Sequence, residues 1–184
     1  EAAHPGLCYS DILARVHVAI AALIGATTTP DLDADFGPSI SHWPAFSDTA
    51  AALGYLQTRF KLVILSNVHR EGFAASQRHL GIEFDAIYTA EDIGSYKPAA
   101  ANFEYMIEHV HSDFGLKSGQ ILHTAQSRYH GHVPARAVGL ANAWIDRQRL
   151  SAGADWGATT RVVARPETDF VFFLHGRHGF GRTR

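Results

Sequence analysis

Three short stretches carry side chains able to hold an anion. The run "KLVILS" sets four apolar residues before Ser66, and Asn67 follows. A hydroxyl and an amide at the tip of an apolar strand, just ahead of a helical stretch, offer donors where free helical N–H groups also favour an anion. The plainer alternative, a strand end at Ser66 and a helix cap at Asn67, accounts for the same two residues. Lys97 lies further on in "GSYKP". It either reaches across strand tips to a carboxylate or phosphate, or is a solvated loop lysine. "HTAQSRYHGHVPAR" holds His123, His130 and His132. A His-x-His pair suits zinc, but no Cys, Asp or Glu lies nearby to complete a ligand set, so no metal and no cofactor is expected. "DLDADFG", residues 31–37, fails as a calcium loop because Phe36 and His42 stand where Gly and Glu belong. No apolar strand precedes it, as a nucleophilic aspartate would need. It reads as a solvated acidic loop.

The elements that would position these residues alternate in type. Ile12, Leu13, Val16, Ile20, Leu23 and Ile24 recur at helical spacing, with Ser10 as N-cap and Gly25 as stop. A Pro-, Thr- and Asp-rich linker follows, with at most a short turn of helix. "SDTAAALGYLQTRF" reads as a helix capped by Ser47 or Asp48. "KLVILS", "FDAIYTA", "QILHTA" and "ANAWID" read as strands; "REGFAASQRHLG", "PAAANFEYMIEHVHSDFG" and "VPARAVG" read as the helices between them. "ATTRVVA" and "DFVFFL" are further short extended pieces. Continuous apolar strands alternating with helices predict an α/β fold with a parallel sheet covered on both faces. Ligands of such sheets bind at the carboxyl ends of the strands. Those ends are Ser66 and Asn67, then 91–97, then 126–132, then Asp146. By composition, residues 1–46 form a helical piece, 47–165 the α/β core and 166–184 an irregular tail. Trp43, Phe46, Phe103 and Trp144 each read as core.

The bulk properties narrow the function. The 184 residues carry 16 basic and 18 acidic side chains, a net charge of −2, and 46% are apolar. That is a globular composition, and it gives no reason to expect nucleic acid or a membrane as partner. No apolar run approaches the ~18 residues of a membrane span. The one cysteine, Cys8, excludes an internal disulfide and fits a reducing compartment, the cytoplasm. The first residues show neither an initiating Met nor a signal peptide.

Taken together, the strand ends resemble the haloacid dehalogenase superfamily, in its 2-haloacid dehalogenase branch. The likeness rests on the apolar strand ending in Ser66-Asn67, the "YKP" holding Lys97, "ILH…AQS" and "PARAVGL…AWIDR". "WPAFSDTAAALGYLQTRFKLVILSNVHR" looks like the passage from cap domain to core, and residues 9–24 like a cap helix. The likeness spans about residues 9–165.

The resemblance implies a Rossmann-like core with a helical cap. It implies a small 2-halo carboxylic acid as substrate and an aspartyl ester as intermediate. Ser66 and Asn67 then hold the substrate anion. Lys97 pairs with the nucleophile and the substrate carboxylate, and Ser127 and Phe103 join Ser66 and Asn67 as substrate contacts. The family allows a homodimer. Two departures follow. The nucleophilic aspartate belongs on a strand upstream of the cap, and no apolar strand followed by Asp-x-x-Gly-Thr occurs here. The chain is therefore expected to be N-terminally incomplete, its central first strand missing, and to release no halide. Without that strand, two buried edges need another partner; "DFVFFL" is one candidate. Further, Gly131 stands where the family places an acid. The alternatives are a non-catalytic remnant binding a small anion or a protein partner, and a Mg²⁺-dependent phosphatase.

Overall fold

The computed structural model describes residues 6–146 and the strand at 171–175. Helix α1 (Tyr9–Ile24), helix α2 (Pro30–Phe36) and a 3₁₀ turn (Pro38–His42) precede helix α3 (Thr49–Gln57). The core then alternates: β1 (Lys61–Ser66), α4 (Arg70–Leu80), β2 (Ala86–Thr89), α5 (Ala90–Ile93), α6 (Ala100–Phe114), β3 (Ile121–Ala125), α7 (Val133–Ala137) and β4 (Ala141–Trp144). Strand β5 (Val171–His175) completes a five-stranded sheet in the order β2-β1-β5-β3-β4. All four pairings are parallel. The α/β architecture expected from the alternating pattern is the one observed.

Local chemistry explains the elements. In β1 every residue from Leu62 to Ser66 is buried, because helices cover both faces of a parallel sheet. Phe103, Met106 and Val110 recur along one face of α6 and are fully buried, with Val63, Leu65 and Ile121 in the same cluster. Helix α4 ends at Gly81, whose φ of 64° lies in the left-handed region that glycine enters without steric cost.

Five expectations change. First, residues 166–184 are not irregular throughout. Residues 171–175 form the sheet's central strand, pairing Lys61↔Val171 through Val63↔Phe173 on one side and Ile121↔Val171 through Ala125↔His175 on the other. The centre of the sheet, expected to lack its strand, is filled by β5. The physical reason is backbone satisfaction: the facing edges of β1 and β3 need hydrogen-bond partners, and "VFFLH" supplies an aromatic, β-branched run of strand length. Second, the acidic segment is helix α2 rather than a loop. Asp33 meets His17 Nδ1 at 2.6 Å and accepts from Thr28 Oγ1 at 2.7 Å. Hydrogen bonds from Thr28 and then His17 hold its carboxyl below the ordinary carboxylate value. Third, the N-cap of α1 is Cys8, not Ser10. Fourth, Phe46 is exposed rather than core. Fifth, the N-terminal helices pack directly on the sheet: Leu13 and Ile40 share one buried cluster with Ile64, Val68 and Phe73. "ATTRVVA" lies outside the described residues.

Candidate functional site

The sheet's order brings the carboxyl ends of β1, β5 and β3 side by side at its centre. Lys97 arrives there from the loop between α5 and α6. Its side chain is completely buried, and Nζ donates to the carbonyl oxygen of Leu65 near the tip of β1. So it is not a solvated loop lysine. A buried ammonium needs donors' partners or an anion around it, and the surrounding loop is built to hold it. The Asn67 amide grips the Lys97 backbone from both sides: Oδ1 accepts from Lys97 N at 2.8 Å, and Nδ2 donates to Lys97 O at 3.1 Å. Asn67 is therefore not the cap of α4; His69 holds that position. The two residues are thirty apart in sequence, and the clamp ties the β1 tip to the lysine loop.

Ser66 is buried, and its Oγ accepts from Val68 N at 3.1 Å. That bond tightens the turn leaving β1. The N-terminus of α4 has already met an anion from its own chain. Arg70 N donates to Glu91 Oε2 at 3.0 Å, while the Arg70 guanidinium bonds Glu91 and Asp92. Lys97, rather than that helix end, is the anion-holding feature of the site.

The β3 side is lined by a π-helical turn, Arg128–His132, running into α7. Such turns recur at functional sites because they re-aim side chains. Ser127 is buried and caps the turn, its Oγ accepting from His130 N at 3.2 Å. His132 Nε2 donates to Ala125 O at 2.9 Å, and its Nδ1 lies 3.1 Å from Asn142 Oδ1. Trp144 Nε1 donates to Gln126 O at 3.0 Å, tying the loop to β4. Beneath the loop, His123 is buried edge-on to Phe103 and His132, with ring centroids 5.4 and 5.7 Å apart. Burial first, then the charge of Lys97 and then His132, push its pKa well below the ordinary imidazole value, so it is neutral. Phe103 is fully buried in the core cluster and supports His123 from below.

Gly131 marks the clearest departure from the expected site. A Cβ there would meet His123 Nε2 and Ala125 Cβ, each at 2.9 Å. His123 occupies the room that an acidic side chain from this position would need. Among the described residues no group of three or more His, Cys, Asp or Glu could hold a metal ion. These residues do not fit a Mg²⁺ centre. The sequence reading missed the basic, histidine-lined character of the β3 side; "ILHTA", a histidine inside an apolar strand, was its only signal.

The sequence matches no protein-family model and no curated protein. Solved structures do match. An L-2-haloacid dehalogenase superposes with a TM-score of 0.65 at 22% identity, covering 90% of this chain and 67% of that one. The L-2-haloacid dehalogenase of Xanthobacter autotrophicus, with chloropropionic acid covalently bound, gives 0.65 at 18% identity, covering 90% of this chain and 71% of that one. The chain has the haloacid dehalogenase fold. A HAD phosphatase from Thermococcus onnurineus gives 0.51 at 21% identity, covering 84% of this chain and 65% of that one. The haloacid dehalogenase fold thus supports more than one chemistry among its members, and the site must choose between them. Here that site is a buried lysine clamped by an asparagine, flanked by a neutral histidine and a glycine with no room for an acid.

Proposed function

We propose that this haloacid dehalogenase-like chain binds small 2-substituted carboxylates at the strand tips, and that it does not turn over 2-haloacids. The observation that carries the reading is Lys97: fully buried, anchored at the tip of β1, and held through its backbone by Asn67. A lysine so placed offers a carboxylate a charge-assisted hydrogen bond in a low-dielectric setting. Ser66 and Ser127 stand on either side with their hydroxyl oxygens. The X. autotrophicus enzyme, which holds chloropropionic acid covalently, supports the choice of ligand class. Turnover through an aspartyl ester needs an aspartate that the 184 residues do not carry in the Asp-x-x-Gly-Thr setting.

Calorimetric titration with propionate, lactate and 2-chloropropionate tests this. Binding by the native chain is expected, with a loss of at least tenfold in Lys97→Ala. An absence of heat with every small carboxylate sinks the reading and leaves a protein-binding remnant. Catalytic halide release, many chlorides per chain, would overturn the second half of it. The phosphatase reading draws on the T. onnurineus likeness but lacks acids at the site; Mg²⁺-dependent phosphate release would revive it.

A further inference from the structure

The central strand brings its own reactive residue to the strand tips. In β5, "VFFLH", His175 is the one residue with a titratable side chain, and it stands last. Its backbone is level with Ala125 of β3, and continuing the β1 register two residues past Val63↔Phe173 sets it level with Leu65. Those two neighbours carry the carbonyl oxygens to which His132 Nε2 and Lys97 Nζ donate. The backbone of His175 therefore lies between the anchor points of the two basic side chains of the site. It holds the middle place on the sheet edge where ligands of parallel sheets collect.

We propose that His175 is the attacking residue toward a 2-haloacid, an assignment that rests on the carboxylate-binding reading above. A nearby lysine cation favours the neutral imidazole, the form with a nucleophilic lone pair. That lone pair attacks C2 of 2-chloropropionate. The N–C bond forms as the C–Cl bond breaks, and chloride leaves with the bonding pair. The alkylimidazolium then gives up its remaining N–H proton to solvent. The product is an N-alkyl histidine, not an ester, and water does not cleave it. The chain therefore releases one chloride and stops, consistent with an absence of turnover.

The test is to incubate the full chain with 2-chloropropionate, count chloride, and map the adduct by tandem mass spectrometry. Tryptic cleavage isolates residues 162–177, which contain a single histidine, His175. The expected result is about one chloride per chain, at a rate that saturates with 2-chloropropionate and is slowed by propionate. The mass gain, that of chloropropionate less HCl, should sit on His175 and vanish in His175→Gln. Adducts scattered over other histidines, or unchanged chloride release in His175→Gln, overturn the assignment. Lys97-dependent propionate binding without any adduct also overturns it while leaving the binding reading intact. Loss of all carboxylate binding in the native chain removes both.

Discussion

At the scale of single residues, Asn67 and His123 carry the clearest consequences. The Asn67 amide satisfies both backbone groups of Lys97, and all of these atoms are buried. Asn67→Ala leaves a buried N–H and a buried C=O without that partner, a cost of about 1–3 kcal/mol for such a group. Urea denaturation should read the loss, and the same variant should weaken carboxylate binding by freeing the lysine loop. His123 gives a pH dependence. Its folded pKa lies below the ordinary 6.5, so below that value the unfolded chain binds a proton that the folded one refuses. Stability should therefore fall as pH drops from about 7 toward 5, and rise again on return. In His123→Gln that part of the slope should flatten, which chemical denaturation at a series of pH values would show. If the slope is unchanged, His123 is not the group responsible.

At the scale of elements, β5 is the decisive one. It is the last described strand in sequence and the middle one in space, hydrogen-bonded to β1 on one side and β3 on the other. A proline in it removes a donor from the centre of a parallel sheet, a place proline does not tolerate. Phe172→Pro should therefore cost about 3 kcal/mol or more, and circular dichroism melting should show an early or lost transition. A melting curve like that of the native chain would mean that β1 and β3 do not depend on β5. Much of this level was legible beforehand. The runs "KLVILS", "QILHTA" and "ANAWID" are strands, and the helices between them end at glycines such as Gly81, because period and breaker residues are local signals. Helix α2 was not legible as such. Its helicity is supported by the Thr29 cap and by the Asp33–His17 contact, and the second joins residues sixteen apart.

At the scale of the whole molecule, the N-terminal helices and the sheet share one core. Leu13 of α1 is buried with Ile40, Ile64, Val68 and Phe73. Leu13→Ala should cost about 2–5 kcal/mol, the range for a buried leucine. It should lower the midpoint of the sheet's unfolding, read by tryptophan fluorescence and far-UV circular dichroism together. Two separated transitions would show that the helices fold independently. No helix among the described residues is long and apolar enough to cross a membrane.

The alternating apolar pattern by itself determined an α/β chain with a parallel sheet, because burial on both faces writes itself into consecutive residues. The strand-end residues Ser66, Asn67 and Lys97 were also legible, since a strand's carboxyl end is a local feature. What they do there was decided only by tertiary structure. Asn67 holds Lys97 across thirty residues, and no local pattern encodes that distance. Gly131 reads in sequence as a missing acid; in space it is the clearance that His123 requires. The filling of the sheet's centre by Val171–His175 depends on two edges needing hydrogen-bond partners at once. That need belongs to the assembled sheet, not to any stretch of the chain.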